Sequence, residues 1–153
     1  MSRTLRTEAI VLRSIRYGEA DRILHLYTPE HGRLSAIAKG ARRTRSRFGA
    51  RLEPFFHLRM QLYSSHPPRS DLRTVTSADT LDAHGPLREQ AATLDAAARA
   101  CDAVARLFES GEASPPVFHL LANELRLLDA DPRAAEPPHQ LAFRLKLPGI
   151  NTL

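Results

Sequence analysis

The 153-residue sequence contains no tryptophan, one cysteine and only two lysines. A single cysteine, Cys101, excludes an internal disulfide and any cysteine-cluster metal site. No long apolar run is present. The longest, Ala9-Ile10-Val11-Leu12, is four residues, far short of a membrane span. The N-terminal arginines have no apolar segment behind them, so no secretory leader is read, and a cytoplasmic location is the expectation. The sequence also lacks a phosphate-cradling glycine motif, a serine elbow and a nuclease-like set of metal carboxylates. The expectation is a protein that is not an enzyme and carries no cofactor.

What is present is positive charge, unevenly placed. Net charge is +5, and 20 of the 22 basic residues are arginine, Lys39 and Lys146 being the exceptions. Residues 1–80 hold 15 basic and 7 acidic residues, a net of +8, whereas residues 81–153 hold 7 and 10, a net of −3. The first part is suited to meeting a polyanion and the second is not.

The first 80 residues read as short strands. Thr7–Arg16 is apolar and β-branched. Arg22–Thr28 alternates, with Leu24 and Leu26 on one face and Ile23, His25 and Tyr27 on the other. Pro29-Glu30-His31-Gly32 reads as a hairpin loop, its glycine taking the positive φ. Arg33–Lys39 returns with Leu34, Ala36 and Ala38 on one side. Leu52–Ser64 places Phe56, Leu58, Met60 and Leu62 inward, a loop with Pro67-Pro68 follows, and Leu72–Ala78 is the fifth strand. Five short strands in so few residues fit a closed β-barrel, which leaves no edge for other chains to pair with.

From about residue 81 helix formers dominate. Leu87, Ala91, Leu94, Ala98, Cys101, Ala105 and Phe108 recur at helical spacing, with alanines that would admit a close neighbour. Gly111 and Pro115-Pro116 separate this helix from a second one, with Ser114 as its N-cap and Pro115 in its first turn. Val117, Phe118, Leu121, Leu125 and Leu128 give the second apolar face, and Asp131-Pro132 ends it. After a loop over residues 133–138, a third helix begins at Leu141 and is broken by Pro148-Gly149. Three apolar faces are hard to bury among so few helices. The helical region is therefore incomplete, or packs on the barrel, or needs a partner. The expected class is α+β: a five-stranded barrel over residues 1–80 and a partial helical domain over 81–153.

The segment from Gly40 to Arg51 concentrates the charge. With Arg33 and Lys39 it supplies Arg42, Arg43, Arg45, Arg47 and Arg51, and no carboxylate intervenes between Glu30 and Glu53. Guanidinium forks match phosphate oxygens, Thr44 and Ser46 add hydroxyl donors, and Phe48 offers a ring for base stacking. Like charges repel, so the segment is expected to be mobile until an anion binds, hinging at Gly40 and Gly49. The alternative is a solvated basic loop, or one pairing with the acidic helical part. No recognition-helix motif is present, so the grip would be on the backbone of single- or double-stranded DNA rather than on sequence.

Other candidates are weaker. Glu19 and Asp21 read as a charged turn pairing with Arg16 or Arg22, not as a catalytic pair. The seven histidines are scattered without ligand spacing, and Cys101 is a core residue.

Several segments taken together resemble the RecO family of DNA repair proteins. They are Ala9-Ile10-Val11-Leu12 with Tyr17-Gly18-Glu19-Ala20-Asp21-Arg22, then Thr28-Pro29-Glu30-His31-Gly32, then Ala36-Ile37-Ala38-Lys39-Gly40-Ala41-Arg42-Arg43. The last continues into Ser46-Arg47-Phe48-Gly49-Ala50 and Leu52-Glu53-Pro54-Phe55. The resemblance implies an N-terminal OB-fold followed by a helical domain. It also implies binding of single- and double-stranded DNA, annealing of complementary strands, and cooperation with RecR and single-strand-binding protein to load RecA in recombinational repair. By similarity, Lys39, Arg42, Arg43, Arg45, Arg47 and Arg51 belong to the DNA-contacting surface. Family members extend further, often with a four-cysteine zinc insertion that this sequence lacks, so the resemblance is to a shortened member with no metal. Docking of single-strand-binding protein is not expected to survive that shortening. Two rival readings use the same basic face: an OB-fold adaptor for an acidic protein, or an RNA-binding module.

Overall fold

The chain's alternating segments become five strands because each must turn one face to a common interior. The computed structural model describes residues 3–64, 71–108 and 112–147. The strands are β1 (Arg3–Tyr17), β2 (Asp21–Thr28), β3 (Gly32–Ala38), β4 (His57–Ser64) and β5 (Leu72–Asp82). They close in the order β1-β2-β3-β5-β4, with β3 and β5 parallel and the other pairs antiparallel. This is the connectivity of an OB-fold, a Greek-key barrel of five strands. β1 is long enough to serve both neighbours. Its first half pairs with β4 from Arg3↔Ser64 to Ile10↔His57, and its second with β2 from Ile10↔Tyr27 to Tyr17↔Asp21.

Alternation places Ala9, Val11, Leu24, Leu26, Leu58, Met60 and Leu62 inside the barrel with Ala36, Ala38, Val75 and Ala78. A register shift in β1 between Val11 and Arg13 opposite β2 adds a bulge at Leu12 and bends the strand around the small core. The hairpin between β2 and β3 turns as expected, with Gly32 at φ 65° and the Thr28 hydroxyl donating to Gly32 O.

Three strand limits differ from the sequence reading by more than one residue. β1 begins at Arg3 rather than Thr7, and β5 runs to Asp82 rather than Ala78, because each is carried on by pairing with β4. β4 begins at His57 rather than Leu52. Pro54 has no N–H for a ladder, and Phe55 sits at φ 77°, which takes the chain out of extended geometry.

The helices are α1 (Ala91–Leu107), α2 (Pro115–Ala130) and α3 (Pro137–Leu145), with single 3-10 turns at Pro86–Glu89 and Pro132–Ala135. Ser114 caps α2 as expected, its hydroxyl accepting Val117 N–H. α3 starts at Pro137, where proline's fixed φ suits the first turn, and not at Leu141. The buried stripe of α1 is also shifted. Thr93, Ala96, Ala97, Ala100, Cys101, Val104 and Ala105 face inward, whereas Leu94 is 39% exposed. Leu87 belongs to the preceding 3-10 turn, so the helical register does not extend back to it. The Pro67-Pro68 loop, Gly111 and Pro148-Gly149 lie outside the described residues.

Of the three options for the helical part, packing on the barrel is the one observed. Ile10, Leu12 and Tyr27, on the outer barrel face, share one core with Phe55 and the buried faces of the helices. The Arg33 guanidinium donates to Ala105 O of α1 (3.2 Å). Arg88 donates to Pro54 O and lies 5.2 and 4.9 Å from the Phe55 and Phe56 ring centres. His84 is 1% exposed and places Nδ1 2.5 Å from Asp129 Oδ2 of α2. That histidine, read from sequence as scattered, is in fact held between Asp129 and Asp82. The two carboxylates also accept backbone N–H groups, Asp129 Oδ1 from Leu87 and Asp82 Oδ1 from His84 itself, so the cluster is explained as a clasp between barrel and helices.

Candidate nucleic-acid interface

The arginine-rich segment connects β3 to β4. It is a succession of turns rather than a free loop, with Arg43 N–H on Gly40 O, Ser46 N–H on Arg43 O, Arg51 N–H on Phe48 O and Glu53 N–H on Ala50 O. Gly40 and Gly49 take φ of 72° and 58°, left-handed values that glycine reaches without strain. These turns give the cations a defined support.

Its base is tied to the β1–β2 turn. Gly40 N–H donates to Asp21 Oδ1 (2.7 Å), and Arg42 N–H to Ala20 O. The Arg42 guanidinium donates to Gly18 O (2.6 Å) and Asp21 O (3.0 Å). Asp21 thus anchors the segment instead of pairing with Arg16 or Arg22. Sequence reading missed this role, since nothing in the Tyr17–Arg22 motif points to a backbone N–H nineteen residues away.

The seven expected cations separate into three groups. Lys39, Arg43, Arg45, Arg47 and Arg51 are exposed. Among the described residues no carboxylate ion-pairs with any of them: the nearest such pair is Arg22–Glu53 at 3.8 Å. Arg51 also donates to Arg47 O (3.2 Å), and Arg47 lies 4.9 Å from the Phe48 ring centre. Arg42 is half-buried and spends donors on the turn. Arg33 is separated from the others. It lies six residues before Lys39 along β3, about 20 Å at strand rise, where it donates to His25 Nδ1 (2.8 Å) as well as to α1.

Phe48 requires a correction. It is 2% exposed and belongs to the barrel core with Leu52, so its ring is covered by protein and Arg47 and offers no face to a base. The ring that the sequence offers for base stacking is instead the apolar plug that holds the charged segment down.

A family model for the N-terminal part of recombination protein O matches residues 1–84. The chain belongs to the RecO family. Among curated relatives, a DNA repair protein RecO of Rubrobacter xylanophilus is 46% identical over 124 residues, covering 81% of this chain and 48% of the relative. One from Salinibacter ruber is 38% identical over 125 residues, 82% of this chain and 47% of the relative. One from an Anaeromyxobacter species is 37% identical over 145 residues, 95% and 55%. This RecO-family chain spans about half the length of the curated relatives it matches. Among the described residues no helix is long and apolar enough to cross a membrane.

Proposed function

We propose that this chain binds DNA through the exposed cations of the β3–β4 segment and acts in recombinational DNA repair in the bacterial cytoplasm. Lys39, Arg43, Arg45, Arg47 and Arg51 take phosphates, and Arg42 and Asp21 hold the segment in place. By neutralising phosphates on two strands at once, the surface lowers their mutual repulsion and allows complementary strands to pair. Delivery of RecA with RecR belongs to the same proposal, by likeness to the RecO family.

One observation carries the reading: a cluster of exposed guanidinium groups on a built support, without carboxylate partners among the described residues. Pairing with the protein's own acidic helical part, the competing possibility, is not what those contacts support. The test is Arg43→Ala, Arg45→Ala and Arg47→Ala combined, which should abolish strand annealing while circular dichroism stays unchanged. Annealing retained by that folded variant overturns the assignment. Five neutralised phosphates would give a slope of log K on log salt of about −3.5 on single strands and about −4.5 on duplex.

A further inference from the structure

Two hydroxyls lie among the cations of the β3–β4 segment, and the structure separates them. Ser46 is half-buried, and its Oγ accepts the Phe48 N–H (3.1 Å), so it belongs to the turn that seats the aromatic ring. Thr44 is exposed, and among the described residues nothing bonds to its hydroxyl. The bond from Ser46 N–H to Arg43 O (3.0 Å) closes a turn whose two corners are Thr44 and Arg45. Thr44 therefore stands at a projecting corner, and straightening residues 43–46 opens one backbone hydrogen bond.

The surroundings of Thr44 are of one sign. Arg42 and Arg43 precede it, Arg45 and Arg47 follow it, and no carboxylate lies between Glu30 and Glu53. A projecting hydroxyl preceded by two guanidinium groups is the charge pattern taken by serine/threonine kinases whose peptide cleft is acidic. Thr4 is also exposed, with Arg3 and Arg6 beside it, but it is held in the β1–β4 ladder opposite Tyr63. It cannot enter such a cleft without opening the barrel.

We propose that Thr44 is the phosphorylation site of an arginine-directed kinase, and that its phosphate releases DNA from the segment. The Thr44 hydroxyl oxygen attacks the γ-phosphorus of ATP, the bond to the β,γ-bridging oxygen breaks, ADP leaves, and the hydroxyl proton passes to the kinase's base. The product carries about two negative charges at neutral pH and three acceptor oxygens. Guanidinium forks close on phosphate oxygens, so Arg43, Arg45 and Arg47 turn to a phosphate of their own chain and are lost to those of DNA. Being tethered, that phosphate competes at an effective concentration in about the millimolar range. The release rests on the DNA-binding reading above and supplies its control; the choice of acceptor does not rest on it.

The experiment treats the full chain with ATP and the catalytic subunit of cyclic-AMP-dependent protein kinase, and locates phosphate by mass spectrometry. One phosphate on Thr44 is expected, and Thr44→Val should take none. A chain left unmodified, or modified on Ser46 or Thr4 instead, overturns the proposal. Fluorescence anisotropy of labelled oligothymidylate then reads the release. Offsetting two of five phosphate contacts should move the slope of log K on log salt from about −3.5 to about −2, and weaken binding roughly 10- to 50-fold at about 0.1 M salt, with circular dichroism unchanged. Thr44→Val given the same treatment should keep the affinity it has untreated. Undiminished binding by the phosphorylated chain refutes the release. If the unmodified chain binds no DNA, the DNA-binding reading and the release fail together, while the mass spectrum decides the acceptor separately.

Discussion

Residues that look alike in sequence have different duties here, and the difference is set by what each side chain touches. Of the arginines around the β3–β4 segment, Arg42 and Arg33 are fixed to carbonyl or imidazole acceptors, while Arg43 and Arg45 are exposed. Arg42→Ala should therefore loosen the turn and raise amide exchange in the segment, whereas Arg43→Ala should weaken DNA binding with no change in stability. Asp21→Ala removes the acceptor for Gly40 N–H and is expected to cost about 1–2 kcal/mol, read as a lower urea midpoint; Asp21→Asn keeps an acceptor and should lose less. Cys101 is completely buried, and its thiol is pushed up to about 12, mainly by burial and further by nearby Asp102. It should resist a thiol reagent in the folded protein and react fully in urea. The core role of Cys101 was legible from its place among small apolar residues. Those of Phe48 and Asp21 were not, because each depends on a partner far off in sequence.

Elements were legible where period and punctuation agree. β2, β3 and the hairpin between them follow from strict alternation around a Pro–Gly turn, and α2 follows from Ser114, Pro115 and its apolar spacing. Ser114→Ala should cost about 1 kcal/mol, seen as a lower urea midpoint with an unchanged slope. The start of β4 is not legible, because the inward phase of Phe56, Leu58, Met60 and Leu62 can be carried back to Leu52, and only the fold shows Phe55 at positive φ with its ring among the helices. Phe55→Ala should cost about 3–5 kcal/mol, since alanine leaves a cavity and keeps the unfavourable φ. The stripe of α1 is ambiguous in the sequence because alanine is apolar enough for either side. Packing chose the face where small side chains let α2 come close.

At the scale of the whole molecule, charge asymmetry points to the part that carries the exposed cations, but nothing in composition shows that the helices share a core with the barrel. That shared core predicts one cooperative unfolding transition, with fluorescence and circular dichroism changing together. Histidines lie near the seam. His25 is held below its ordinary value of 6.5 chiefly by burial, with Arg33 and Arg13 adding to the effect. His57 is also lowered by burial, against an opposing pull from Glu8. Below about pH 6.5 the unfolded chain takes up these protons before the folded one does, so stability should fall on acidification. Urea midpoints between about pH 7.5 and 5.5 would show the decline, and His25→Gln with His57→Gln should flatten it.

Phe48 links two properties that are otherwise separate. The only aromatic side chain in the cationic segment is sunk in the barrel interior, so the geometry of the charges lasts only as long as that ring stays seated. Warming that frees the ring should scatter the guanidinium groups, and affinity for DNA should fade before the strands themselves melt. Conversely, a bound polyanion that draws the arginines together should hold the ring in place and raise the melting temperature of the barrel.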